Sequence, residues 1–419
     1  GALYGESAIG GVINIITKKS GAKGNNVYGA STVGTYGTFK NNIGLNSTVN
    51  NFTYNISYTN FKTNGISEAQ PTGQQFFDRD GMKQDALNAN FSIKLDEKFT
   101  INPFIRYSYG SFNYDDGAFA DANHTSTSQH INAGFNAIYK LNDGKITLNY
   151  SRENTLRSYV SNFSGEYEGD VNLVDVFYNQ NLGKKTNLLL GVDNRATAVT
   201  QFTAQRNTPS ANLFSSYASL FLHDLGMFNF EIGGRYNLHN QYGSNFTYVI
   251  TPTMVINPNI KVFGTVSSAF RAPTLDMLFG QFGANLDLKP EKSVSYELGT
   301  SLSLLDNKFG LRVVGYKRNM TDAIIYGQNG FINKDQQNDK GFEIEPSFKM
   351  DKITLGAFYA YVEGLQRSGT ITSNILLRRP NHTMGLNAGY QLSKQLFVNL
   401  NYKYTCLLYT SDAADEEDS

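Results

Sequence analysis

The chain has 419 residues, and its 36 Lys plus Arg are balanced by 36 Asp plus Glu, which argues against a basic nucleic-acid-binding surface. With 26 Tyr, 29 Phe, no Trp, 39 Gly and only 9 Pro, the composition reads as strands and turns, not helices. The single cysteine, Cys406, excludes an intrachain disulfide; no run of about eighteen apolar residues occurs, which excludes a transmembrane helix but not membrane-crossing strands.

The sequence opens on Gly1–Lys19, with no signal peptide before it, and reads as starting inside a domain. Gly10 and Gly11 permit a tight turn or a close backbone approach. Val12, Ile13, Ile15 and Ile16, interrupted by Asn14, predict a mostly buried strand. Beyond residue 25 the alternation has period two. Phe99, Ile101, Pro103, Ile105, Tyr107 and Tyr109 share one face; Ile146, Leu148 and Tyr150 oppose Thr147 and Asn149. Phe230, Ile232, Gly234 and Tyr236 oppose Glu231, Gly233 and Arg235, and Leu396, Val398, Leu400, Tyr402 and Tyr404 oppose Asn399, Asn401 and Lys403.

Compact turns fall at Asn50-Asn51, Asp96–Lys98, Asn142–Gly144, Gly183–Lys185, Leu225–Met227, Asn257–Asn259, Leu305–Lys308, Met350–Lys352 and Leu392–Lys394. Their spacing of roughly 32 to 48 residues fits two strands plus a longer loop. The longer polar stretches are Thr63–Met82, Asn113–Thr127, Ser158–Glu168, Gln201–Asn212, Arg271–Pro290, Thr321–Asn338 and Glu363–Asn374. Short turns at one end and long loops at the other predict an all-β fold, a large antiparallel transmembrane barrel. A propeller would need turn signals every 8 to 12 residues or so. About nineteen strands are predicted between Val27 and Tyr404, where a plugged transporter takes 22.

The opening residues Leu3-Tyr4-Gly5 and Ala8–Ile15 resemble the last part of the plug domain of TonB-dependent outer-membrane receptors. Phe270–Leu275, then Asn285–Ser293 and Tyr296–Gly299, are similar to the Phe-x-Ala-Pro-Thr-Leu, loop, Leu-Lys-Pro-Glu, Glu-x-Gly series late in such barrels of siderophore and cobalamin type. Pro273 ends a strand and Pro290 delays the next until about Glu291, because proline lacks the ladder donor. Arg271 and Glu291 are placed to pair across the base of the intervening loop, a structural role. Gly341–Glu345 resembles the Gly-x-Glu-x-Glu strand of these receptors, and Arg378–Thr383 their Arg-Pro-x-His-Thr segment.

The resemblance implies residues 1–20 as the end of a plug, residues 25–404 as a barrel with about three strands fewer than 22, and a monomer surrounded by outer-membrane lipid. It implies active import of cobalamin or a ferric siderophore across the outer membrane, driven by TonB through an N-terminal segment. The stretches Leu288–Gly299 and Arg378–Thr383 look nearer to cobalamin receptors. The different class of reading is a passive porin-like or adhesin barrel without a plug, against which Gly1–Lys19 argues. An outer-membrane protease or lipase would need an Asp/His or Ser/His pair near one rim, and none is visible. No cofactor is expected.

Aromatic and arginine side chains in the long loops are the candidate ligand contacts: Phe76, Phe77, Arg79, Tyr114, Phe119, Arg206, Phe279, Phe282 and Tyr326. Gly10, Gly11, Val12 and Asn14 are the plug-motif candidates. Asp115, Asp116 and Asp121 carry oxygens suited to Ca²⁺ but lack a recognised loop spacing. His124, His130, His223, His239 and His382 show no metal-ligand spacing, so no metal set is assigned. Residues 406–419, with five acids in the last eight, resemble translated adapter read-through and are expected to be a non-native tail.

Overall fold

The computed structural model describes residues 9–12, 24–71, 73, 76–201, 208–327, 329–369, 371–373 and 379–406. Among these lie β1 (Asn26–Gly34), β2 (Thr38–Val49), β3 (Phe52–Thr63), β4 (Met82–Lys94), β5 (Phe99–Tyr114), β6 (His124–Lys140) and β7 (Gly144–Val160). Next come β8 (Gly165–Asn181), β9 (Thr186–Gln201), β10 (Ser210–Leu225), β11 (Phe228–His239), β12 (Gly243–Asn257), β13 (Ile260–Arg271) and the short helix α1 (Leu275–Phe279). The series ends with β14 (Glu291–Leu304), β15 (Phe309–Gly327), β16 (Gly330–Met350), β17 (Ile353–Ser368), β18 (Ile371–Ser373), β19 (His382–Gln391) and β20 (Phe397–Cys406).

Each strand pairs antiparallel with the next in one continuous sheet. The exception is β17, whose far end pairs with β18 and whose near end pairs with β19, so the 20 strands form nineteen staves among the described residues. β1 and β20 are the two edges of the described sheet. Thr405 and Cys406 belong to β20, opposite Thr383 and His382; residues 407–419 lie outside the described residues.

The period-two alternation places apolar residues outside and polar residues inside. Ile232, Tyr236, Phe246 and Leu298 are exposed, whereas Ser215, Arg235, Asn237 and Thr247 are buried at 0–3% exposure. That inversion suits a wall with lipid outside and a polar lumen. All nine compact turns join staves at one end. Asn50, Gly226 and Asp351 there have positive φ, which Asn, Asp and Gly tolerate best.

At the other end three predicted loops are corrected. β15 and β16 run on as a paired hairpin through the expected loop Thr321–Asn338, with Ile325 opposite Ile332 and Gly327 opposite Gly330. β17 likewise continues to Ser368, inside the expected loop Glu363–Asn374. Strands of 19 and 21 residues far exceed the roughly 9–11 a bilayer needs, so this hairpin stands out beyond the membrane. Beyond the bilayer it needs no lipid-facing apolar alternation, and its polar composition reads like a loop. Ser158–Glu168 shrinks in the same way to a short connection between Val160 and Gly165.

Candidate functional site

Inside the wall, Ile9–Val12 lies against β15 and β16. Gly11 has φ +124, a conformation that L side chains rarely adopt, so this glycine is required by the backbone. Arg318 Nη1 donates to the Ile9 carbonyl at 3.1 Å. Arg318 is held by Asp339, a 2%-exposed carboxylate that pairs through Oδ2 with Arg318 Nη2 and Arg379 Nη1 (3.1 Å to the latter). Its Oδ1 accepts from Gln337 Nε2 at 3.1 Å. The segment borders a cavity of about 660 Å³ lined by Glu231, Glu297, Arg312, Arg318, Glu343 and Arg379, charged groups of both signs. Val12, predicted in a buried strand, is 46% exposed and faces this cavity. Asn14 lies outside the described residues.

At the long-loop end, the connection from β13 to β14 carries α1, capped by Thr274, whose Oγ1 accepts from Met277 N at 3.2 Å. Arg271 and Glu291 pair across its base as the sequence suggests, and buried Glu291 also accepts from Ile324 N at 2.8 Å. The loop reaches β8 through Tyr167 Oη–H, donated to Gln281 Oε1 at 3.1 Å. On the other side it reaches the β15–β16 hairpin through Asn285 Nδ2, donated to the Phe331 carbonyl at 2.9 Å. Gly283 packs so closely on Gly330 that a Cβ on either would sit about 2.5 Å from the other's Cα. One loop thus touches both β8 and β15–β16, strands far apart in the order of the sheet.

Two of the candidate ligand residues meet in this cluster: Phe282 packs edge-on to Phe163 (6.2 Å) and Tyr326 edge-on to Phe331 (5.0 Å). Phe279 ends α1, where its carbonyl accepts from Gln201 Nε2 at 3.1 Å. Tyr326 is a β15 residue and Tyr114 the last residue of β5, so neither is in a loop; Tyr114 packs against His124 at 5.2 Å. Phe76 and Phe119 are 99% and 62% exposed and join no ring pair among the described residues. Phe77 is half-buried, exposed Arg79 lines a separate cavity, and Arg206 lies outside the described residues.

The loops 64–81 and 115–123 bring Asp78, Asp115 and Asp121 together, with carboxylate oxygens within 4.8 Å of one another. Asp116 instead turns to His124 at 3.6 Å, which corrects the grouping read from the sequence. Burial alone would raise the Asp115 carboxyl, but the Ala122 and Ala69 amides and the Ser67 hydroxyl, donating at 2.8–3.0 Å, hold it below the usual carboxylate range. Burial and the neighbouring acids push Asp78 and Asp80 above that range.

Residues 145–418 match the family described as TonB dependent receptor-like, beta-barrel. The chain belongs to this family. Over 251 residues the receptor chain is 26% identical to the iron-regulated outer membrane virulence protein of Vibrio cholerae, covering 52% of the chain and 38% of that relative. The chain thus spans well under two thirds of the curated relative it matches. Its fold is shared with the ferric-catecholate import receptor Fiu of E. coli K12, at TM-score 0.79 and 12% identity over 96% of this chain and 74% of the other. It is shared equally with a variant of the ferric enterobactin receptor of Pseudomonas aeruginosa in complex with enterobactin, at TM-score 0.77 and 16% identity over 96% and 71%.

Sequence reading missed the receptor's inner polar network. Asn136 Nδ2 donates to Asn149 Oδ1 (2.7 Å), Asn149 Nδ2 to Asp175 (2.9 Å) and Tyr217 Oη–H to Asp175 (2.6 Å), while Arg235 pairs with Asp193 beside them. The inward-facing polar alternation was the available signal. Which inward residue meets which depends on register, and register is set by pairing across strands.

Proposed function

We propose that this chain is the barrel and plug end of a receptor that imports a ferric siderophore across the outer membrane, with energy supplied by TonB. The observation that carries this reading is the Ile9–Val12 segment held inside the wall by Arg318. A passive pore has no use for a segment fastened inside its wall, whereas a gated importer needs one that can be pulled free. This cargo is supported by the relatives, which are named for iron regulation, ferric enterobactin and ferric-catecholate import; none of those three names mentions cobalamin. The outer cluster of Phe163, Phe279, Phe282 and Tyr326 is proposed to contact the siderophore, since aromatic faces give large contact area at low entropic cost.

The test is uptake of radiolabelled ferric enterobactin and of labelled cobalamin by cells expressing the intact receptor, with and without TonB. TonB-dependent iron uptake, weakened by Phe282→Ala, is the expected result. TonB-independent uptake, or uptake of cobalamin alone, would refute the proposal.

A further inference from the structure

On the outer face, Lys62 of β3 and Lys83 of β4 are direct cross-strand partners, with Ser111 of β5 opposite Lys83. Like charges in that position repel. Arg79, from the loop joining these strands, lines the same cavity of about 290 Å³, together with Thr63, Ser111 and Asn113. None of the three cations has a carboxylate partner among the described residues. On the strands, Asp85 lies one rung lower between Asn60 and Tyr109 and is engaged by Tyr58 Oη–H (2.5 Å) and Asn60 Nδ2 (2.9 Å); Asp78 and Asp80, which flank Arg79, turn to Asp115 and Asp121 and to the Glu68 amide.

A second opposed lysine pair shows what is missing. Lys317 and Lys340 also face each other on the outer surface, but the next strand places Glu363 opposite Lys340, and the two pair at 2.6 Å. The residue in Glu363's place beside Lys62 and Lys83 is Ser111. The fold supplies the anion at one lysine pair and leaves it out at the other.

We propose that Lys62, Arg79 and Lys83 form a binding site for the phosphorylated headgroup of an outer-leaflet lipid. The position selects that source. The site stands just beyond exposed Ile105, Tyr58, Leu87 and Tyr109 on the same outer face, where the membrane's polar layer begins, and it opens away from the lumen. Two ammonium groups and a guanidinium match a phosphate monoester, and the Ser111 hydroxyl and Asn113 amide add neutral donors.

The experiment uses the intact receptor in neutral detergent micelles doped with phosphatidic acid. Diacylglycerol is the dephosphorylated control and inorganic phosphate the soluble one, with binding read by native mass spectrometry. Ser111→Glu rebuilds the Lys317–Lys340–Glu363 arrangement without removing a cation, and Ser111→Gln controls for size. Phosphatidic acid is expected to bind the wild type and Ser111→Gln, and to lose more than about tenfold in affinity in Ser111→Glu and in Lys62→Gln/Lys83→Gln. Diacylglycerol should not bind. Equal binding by Ser111→Glu and wild type, no binding by wild type, or inorganic phosphate binding as tightly as the lipid would each overturn the proposal, the last by making the site one for soluble anions.

Discussion

Asp339→Asn tests whether the inner clamp holds the plug segment. The carboxylate is 2% exposed and serves three donors, from Arg318, Arg379 and Gln337. The neutral amide of Asn removes both ion pairs; its one oxygen can still accept from Arg318 and Arg379 where Oδ2 stood, but its N–H₂ then faces Gln337 Nε2, donor against donor. Breaking a buried pair costs about 3–5 kcal/mol. Arg318 and Arg379 side chains are 16% and 41% exposed, so water recovers part of that loss and about 3 kcal/mol is the expected cost, roughly a hundredfold in equilibrium. Part of it falls on the bond from Arg318 to Ile9, because an unclamped guanidinium samples other rotamers. Urea unfolding of the intact receptor in detergent reads the stability, and limited proteolysis near Gly10-Gly11 reads the release of the segment. A change under about 1 kcal/mol with unchanged cleavage would show that Asp339 does not hold the clamp.

A Cβ on Gly191 would lie 2.2 Å from the Tyr217 ring, which is fixed by Asp175 and by Arg235 stacked at 4.9 Å. Gly191→Ala is expected to cost about 1–3 kcal/mol, and Tyr217→Ala in the same chain should remove most of that increment in a double-mutant cycle. In the acidic loops the signs oppose each other. Asp115, held low, contributes stability above the usual carboxylate range that is lost as pH falls through its depressed pKa; Asp78 and Asp80, pushed up, contribute below that range and lose it as pH rises through their raised values. At pH 7, Asp80→Asn should therefore slow hydrogen exchange at the Ala69 and Ala122 amides, and Asp115→Asn should speed it. Matching effects from the two variants would contradict the assignment.

Much of this receptor is legible in one dimension. Alternation and turn residues predict the staves and the nine short turns, because each side chain's face and each left-handed position are local properties of the backbone. Pro273 and Pro290 bracket a loop for the same reason, and Arg271 and Glu291 sit at its two ends. Tertiary structure decided everything that depends on register and on closeness across the lumen. Asp339 is an ordinary acid in a polar run until pairing sets it between Arg318 and Arg379. Tyr326 reads as a loop residue because a hairpin beyond the bilayer needs no lipid-facing alternation. Lys62 and Lys83 stand twenty-one positions apart and become neighbours only through the β3–β4 ladder. A strand's sequence states which way each side chain points; its partners state what that side chain meets.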